Sequence, residues 1–161
     1  MWSCNRRFFL LSAAALGGCG LTPIYGSNGV GSALLDNVEI DTPNNPNAYH
    51  LTRYLEERLG RSSAPQFGLG YSLRTSVQGL AVSSTHAITR YHVLGNLSYA
   101  LRDMDTQEVV ASGKVRAVAA YSATGSTVAT RAAQTDAYKR LMVMLSDRVI
   151  ERLVLALAEA S

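Results

Sequence analysis

ITRYHVLGNLSYALRD, residues 88–103, is the stretch on which the fold turns. Tyr91, Val93, Leu97, Tyr99 and Leu101 recur at every second position. Arg90, His92, Asn96, Ser98 and Arg102 fill positions between them. Side chains of an extended chain alternate between two faces. The pattern therefore predicts a long strand from Ile88 to about Asp103, with one face buried and one wet. Two neighbours read the same way. Tyr71 to about Ser83 alternates through Tyr71, Leu73, Thr75 and Val77, and Val109 to about Tyr121 sets Val109, Ala111, Val115 and Ala117 opposite Ser112, Lys114 and Arg116. Met104-Asp105-Thr106 is a short connection, so the last two strands form a hairpin. The strand before them pairs antiparallel across the loop near Ser84-Thr85.

Outward from these strands the period changes. From about Ser126 or Thr130 to Ala158 the chain contains neither Gly nor Pro. Tyr138, Leu141, Met142, Leu145, Val149, Leu153 and Ala156 recur at steps of three and four, an amphipathic helical stripe suited to packing on a sheet. Upstream, Val38-Glu39-Ile40 reads as a short first strand, and Asn47 as the N-cap of a helix running to about Leu59. Leu51, Leu55 and Leu59 form its apolar stripe, and Gly60 stops it. Gly68-x-Gly70 reads as a turn. The order is β-α-β-β-β-α: an α+β two-layer sandwich, two helices packed on one face of a four-stranded, mostly antiparallel sheet.

The N-terminus carries a different kind of signal. Arg6 and Arg7 precede an apolar run, Phe8 to Leu16, of nine residues. That length suits a signal peptide and falls well short of the ~20 residues needed to span a bilayer. Leu16-Gly17-Gly18-Cys19 follows and reads as a lipoprotein cleavage and acylation box. Gly17 and Gly18 let extended backbone enter a peptidase cleft, and the Cys19 thiol takes the diacylglycerol thioether. Residues 1–18 are then the signal peptide, 19–35 a lipid-anchored flexible tether rich in Gly and Ser, and 36–161 a single α+β domain. Arg6-Arg7-Phe8-Phe9-Leu10 resembles the twin-arginine export signal, although Asn5 and Leu11 depart from it, so both export routes stay open. Gly20, rather than Asp, follows the acylated cysteine, consistent with sorting to the outer membrane.

Composition removes several functions. Without Arg6 and Arg7 the 15 Lys and Arg become 13, against 12 Asp and Glu, and no block of like charge remains. Nucleic-acid binding loses its electrostatic warrant. Cys4 leaves with the leader and Cys19 is acylated, so the domain has neither disulfide nor thiolate metal site. His50, His86 and His92 lack partners at metal-ligand spacing. There is no nucleophile elbow and no phosphate-cradling Gly-Lys-Ser/Thr loop. Asp103-Met104-Asp105 sits where carboxylates shape a turn. No set of nucleophile, base and oxyanion donor assembles, so no enzyme, cofactor or metal is expected. What remains is the polar strand face, where Arg90, Arg102, Lys114 and Arg116 form a candidate patch for phosphates or carboxylates of an anionic amphiphile. A hairpin joined near Asp105 brings Arg102 and Lys114 within a few residues of each other. The alternative, a solvated face that resists edge aggregation, stays open.

Three stretches carry a family likeness: Cys19-Gly20-Leu21-Thr22-Pro23-Ile24-Tyr25-Gly26, Leu55-Glu56-Glu57-Arg58-Leu59, and Tyr121 to Leu141. With these the chain resembles the lipopolysaccharide-assembly lipoprotein family, LptE, in its alphaproteobacterial form. The resemblance implies a non-enzymatic outer-membrane lipoprotein, anchored to the periplasmic leaflet by N-terminal acyl chains, palmitate among them. Its implied partners are lipopolysaccharide and the LPS-translocon β-barrel, LptD, whose assembly such proteins assist and whose lumen they plug. No family binding residue aligns to a position here, so the four basic residues rest on strand pattern alone. A second reading is an envelope lipoprotein that binds a different lipid or steadies another outer-membrane assembly. A third, an envelope hydrolase, requires His50 or His92 to meet Asp103 or Asp105 in a pocket.

Overall fold

The computed structural model describes residues 30–82 and 88–160; Cys4, Cys19, Ser84, Thr85 and His86 lie outside them. The elements are β1 (Val38–Ile40), α1 (Pro46–Leu59), β2 (Phe67–Val82), β3 (Ile88–Asp103), β4 (Val109–Ser122) and α2 (Thr127–Ala160). The strands form one sheet in the order β1-β2-β3-β4. β1 runs parallel to β2, and the other two pairs are antiparallel. Both helices cover the same face, as the alternation along the strands requires, and the other face is left bare.

The lengths of the two layers match. α2 has 34 residues and spans about 51 Å at 1.5 Å per residue. β3 has 16 residues and spans about 53 Å. α2 lies chiefly along β4, packs next against α1, and reaches β3 less. Its contact face is Ala137, Leu141, Met142, Leu145, Val149, Ile150, Leu153 and Val154, all buried. The strands beneath offer small residues: Gly95 on β3, and Ala111, Ala117 and Ala119 on β4. A Cβ at Gly95 would stand 2.8 Å from Leu145 Cδ1 and 3.1 Å from Leu141 Cδ2. The helix sits as low as it does because that position carries no side chain.

α1 begins two residues earlier than its sequence suggests. The N-cap is Asn45, not Asn47: its Oδ1 accepts the Ala48 N–H at 2.8 Å. Pro46 then occupies the first helical position, where its missing N–H costs nothing. Leu51, Leu55 and Leu59 are buried as their spacing predicts. The buried Thr52 hydroxyl meets the Tyr71 hydroxyl at 2.8 Å, joining α1 to β2. Burial pushes the Tyr71 phenol above its ordinary pKa, and the Thr52 hydrogen bond pulls the other way. α1 ends at Gly60, whose φ of 82° lies in the region that favours glycine.

Three further differences from the sequence reading have local causes. Gly68-x-Gly70 is not a turn: both glycines are within β2, opposite Arg102 and Ala100. Val109 points to the open face instead of the core, since Arg102 pairs with Val109 while Leu101 pairs with Ala111. The extra residue, Val110, makes a β-bulge, and a one-residue slip reverses facing. Residues 30–35, within the stretch read as tether, pack with the domain: Val30–Ala33 form a 3-10 turn and Leu34 is fully buried. α2 starts at Thr127, capped by Ser126, whose Oγ accepts the Ala129 N–H at 3.2 Å. Beyond α1 the sheet is bare on both faces along β2, where Ser76 to Leu80 are all exposed.

The β3–β4 turn is built by Asp103. Its Oδ1 accepts the N–H groups of Thr106, at 2.8 Å, and of Asp105, at 2.9 Å. The Thr106 amide, foremost, holds its carboxyl below the ordinary carboxylate range. The ionised form is thus favoured by folding. Its contribution is complete above about pH 4, the unfolded value, and fades as pH falls through the lower folded value. Asp103→Asn is therefore expected to lower the melting temperature at pH 7, and the difference from the parent protein is expected to shrink as the pH is taken below about 4. Gly95→Val, by forcing α2 off its bed, is expected to cost about 1–3 kcal/mol in urea unfolding.

Candidate functional site

The bare face is a grid set by strand register. Reading β2, β3 and β4 across, one row is Ser72, Ser98 and Lys114, and the next is Arg74, Asn96 and Arg116. The row after that is Ser76, Leu94 and Val118, followed by Gln78, His92 and Ala120. Toward the β3–β4 turn the rows are Gly70, Ala100 and Ser112, then Gly68, Arg102 and Val109. Eight of these eighteen residues are Gly, Ala or Ser, so the face is shallow between its cations.

The four basic residues of the sequence reading are divided among three places. Lys114 and Arg116 adjoin on β4. Arg102 and Lys114 come within a few residues of each other, as the hairpin predicts, without adjoining: the register pairs Lys114 with Ser98, four residues along β3 from Arg102, a separation of about 13 Å. The Arg102 guanidinium lies near Gly70, which the Asp41 carboxylate also approaches. Arg90 is at the far end of β3, opposite Ser122. It shares a surface cavity with His92, Tyr121 and Arg140. Arg140 is engaged already, by Asp136 and by the Ala120 carbonyl at 3.0 Å.

What the register adds is Arg74. Ser72, Arg74, Asn96, Ser98, Lys114 and Arg116 line one shallow cavity of about 280 Å³ in the middle of the face. Period-two alternation along β2 already sets Arg74 opposite Leu73 and Thr75, but nothing local states which strands flank it or in what register. The missed residue was visible as outward and invisible as a neighbour of Arg116.

Electrostatics separates the two faces of the molecule. The described ion pairs, Arg53–Glu57, Arg58–Asp147, Arg61–Glu56 and Arg140–Asp136, all involve residues of the helices or of the segment just after α1. The outward positions of β2, β3 and β4 carry Arg74, Arg90, Arg102, Lys114 and Arg116 and no carboxylate. Among the described residues none of these five is within ion-pair distance of an acid. Such a face attracts anions and resists cations. His50 lies on α1, edge-on to Tyr49, and His92 is eleven residues along β3 from Asp103. The constellation that a hydrolase would need is not formed by these residues, and no group of three possible metal ligands occurs among the described residues. No helix among them is long and apolar enough to cross a membrane.

Known structures share this architecture. A protein from Caulobacter crescentus CB15 described as a lipoprotein superposes with a TM-score of 0.68 at 20% identity, covering 82% of this chain and 97% of that one. The rare lipoprotein B of Shewanella oneidensis gives 0.62 at 14% identity, over 77% and 96%. A lipoprotein B from Nitrosomonas europaea gives 0.57 at 12% identity, over 74% and 83%. At these identities the likeness is one of fold. No curated protein matches the sequence. A family model, LptE, lipopolysaccharide-assembly, matches residues 35–153, from the turn before β1 to the last buried turns of α2. With most of its length under that match and the β-α-β-β-β-α sandwich in place, this chain belongs to the LptE lipopolysaccharide-assembly family.

Proposed function

We propose that this protein is a non-enzymatic outer-membrane lipoprotein. In this reading Cys19 is acylated and held in the periplasmic leaflet. The domain assists assembly of the LptD-like β-barrel of the LPS translocon, plugs its lumen, and binds lipopolysaccharide on its way to the outer leaflet. The observation that carries the ligand part is the open sheet face, with five cations and no carboxylate on the outward positions of three strands. Lipopolysaccharide presents phosphates, and Arg and Lys are the side chains that hold them.

The core supports a plug over a lipid carrier. Leu51, Leu55, Leu69, Leu97, Leu101, Leu141, Leu145 and Leu153 occupy the space between helices and sheet, each 1% exposed or less. A carrier needs room there for acyl chains. The outward surface of the sheet is polar and shallow, which suits the wet lumen of a large barrel.

Purification of the intact protein from detergent-solubilised outer membranes is expected to bring with it a large β-barrel protein, identified by mass spectrometry. Cys19→Ser is expected to abolish labelling by palmitate and to release the protein from the membrane fraction. Normal barrel maturation and normal surface lipopolysaccharide after depletion of the protein would overturn the assignment.

A further inference from the structure

We infer that the free edge of β4, over Val118 to Ala120, receives an extended segment of the barrel partner as an added strand, with a carboxylate of that segment taken by Arg140. The inference rests on the reading that this protein works inside a barrel-forming partner, and it names where the two chains join and by what kind of contact.

β4 ends the sheet, with β3 on one side of it and no strand on the other. Peptide groups of an antiparallel strand point alternately toward its two sides. The Ala123 N–H donates to the Thr89 carbonyl at 2.9 Å, toward β3. The Ala120 carbonyl turns the other way and accepts from Arg140 Nη2 at 3.0 Å. Odd positions from Ala111 to Ala123 therefore bond to β3. Even positions, Val118 and Ala120 among them, present both N–H and C=O to the open side. Among the described residues no other outward backbone group of β4 has a hydrogen-bond partner in the chain. A guanidinium N–H on the Ala120 carbonyl stands where the N–H of an added strand would stand.

Exposed edges invite pairing, and most of this one is protected. The bulge at Val110 breaks the ladder near its start, and Lys114 and Arg116 put charge on its middle. From Ala117 to Tyr121 the strand carries neither charge nor Pro. There Val118, Ala119, Ala120, Arg140, Val143 and Met144 line a surface cavity of about 440 Å³ between the edge and α2. Val118 is 48% exposed. Val143 and Met144 are half-buried, on the flank of a helix that lies chiefly along β4. A strand added here sets every second side chain under that flank, and main-chain bonds to the edge supply the rest of the contact.

Charge selects the occupant. A second copy of this chain, paired edge to edge through β4, would line up Lys114, Arg116 and Arg140 of both copies along one seam, with Asp136 already held by Arg140. Like charges so placed oppose that pairing. A segment that takes over the Ala120 carbonyl also leaves Arg140 Nη2 without its acceptor, and a charged donor left bare in an interface is costly. A carboxylate on the segment supplies the acceptor. The occupant is thus an extended stretch with an acidic residue beside Arg140 and aliphatic residues facing Val143 and Met144. Wall strands of a closed barrel have both edges paired, so the stretch is one that turns in from the wall.

The test uses the full mature protein with the barrel that copurifies from detergent-solubilised outer membranes. Val118→Pro removes one outward N–H and leaves the bonds to β3 in place. It is expected to lower the amount of barrel recovered by about fivefold or more, the size of one strand hydrogen bond. Val118→Ala, which keeps the N–H, is expected to lose clearly less. Ser112→Pro, at an outward position six residues away, is expected to stay within about twofold. Residue-resolved amide exchange gives a second measurement that needs no variant. The Val118 and Ala120 amides are expected to exchange fast in the protein alone and slowly in the complex, while those of Ala117 and Ala119 are slow in both.

Each other outcome overturns the inference in a distinct way. Parent-like recovery of the barrel by Val118→Pro, or equally fast exchange of the Val118 amide alone and in the complex, would place the contact elsewhere and leave the barrel reading intact. A loss in Val118→Ala as large as in Val118→Pro would make the contact one of side chains. An equal loss in Ser112→Pro would reduce the effect to strain along β4. If Val118→Pro unfolds the protein, as its melting temperature would show, the exchange measurement decides. A dimer of the purified protein that Val118→Pro dissociates would assign the edge to a second copy. Failure of the parent protein to bring down any barrel would remove the barrel reading together with this one.

Discussion

The contact of Leu141 and Leu145 with the bare backbone of Gly95 is the constraint on which the rest of this structure depends. A helix of 34 residues buries its stripe only if the sheet below is free of tall side chains along its path. Gly95, Ala111, Ala117 and Ala119 provide that low bed. Larger residues there would raise the helix and open voids beneath Val149 and Leu153, which are now 1% and 0% exposed. Close packing at native density is what turns an amphipathic stripe into a fixed helix position.

Committing both helices to one face has a consequence for the other. A sheet covered on one side keeps a full face for partners, and its residues are free to be chosen for chemistry rather than packing. Here the choices are small residues and cations. The acids of the domain are on the helices, in turns and on or beside β1, and the four ion pairs hold Glu56, Glu57, Asp136 and Asp147. The chain beyond residue 18, with 13 Lys and Arg against 12 Asp and Glu and so nearly neutral in sum, is thereby strongly divided in space. Net charge, which argued against nucleic acid, says nothing about this division.

The same division fits a protein that works by contact. The core is filled with leucine, so stability and ligand contact occupy separate layers. A cation on the open face is exchanged at little cost to folding, and a residue of the α2 bed is not. Under the proposed function, in which the domain fills a barrel lumen and meets an anionic glycolipid, this separation lets the exterior be set by the partner and the interior by the fold.

The sequence by itself determined the element order, the four strands and two helices, and which side of each strand is wet. These follow from period and punctuation, which are local: alternation through Tyr91 to Leu101, the stripe from Tyr138 to Leu153, Gly60 at a helix end. It missed where the chain makes local exceptions, as at Val109, where one bulged residue reverses facing, and at Asn45, where Pro46 moves the cap. It named Lys114 and Arg116 as outward and put Arg102 within a few residues of Lys114, but left out Arg74. Only the tertiary structure decided which cations stand together, because register between strands is fixed by packing across the whole sheet. A period tells each residue which way to face; the fold alone tells it beside whom.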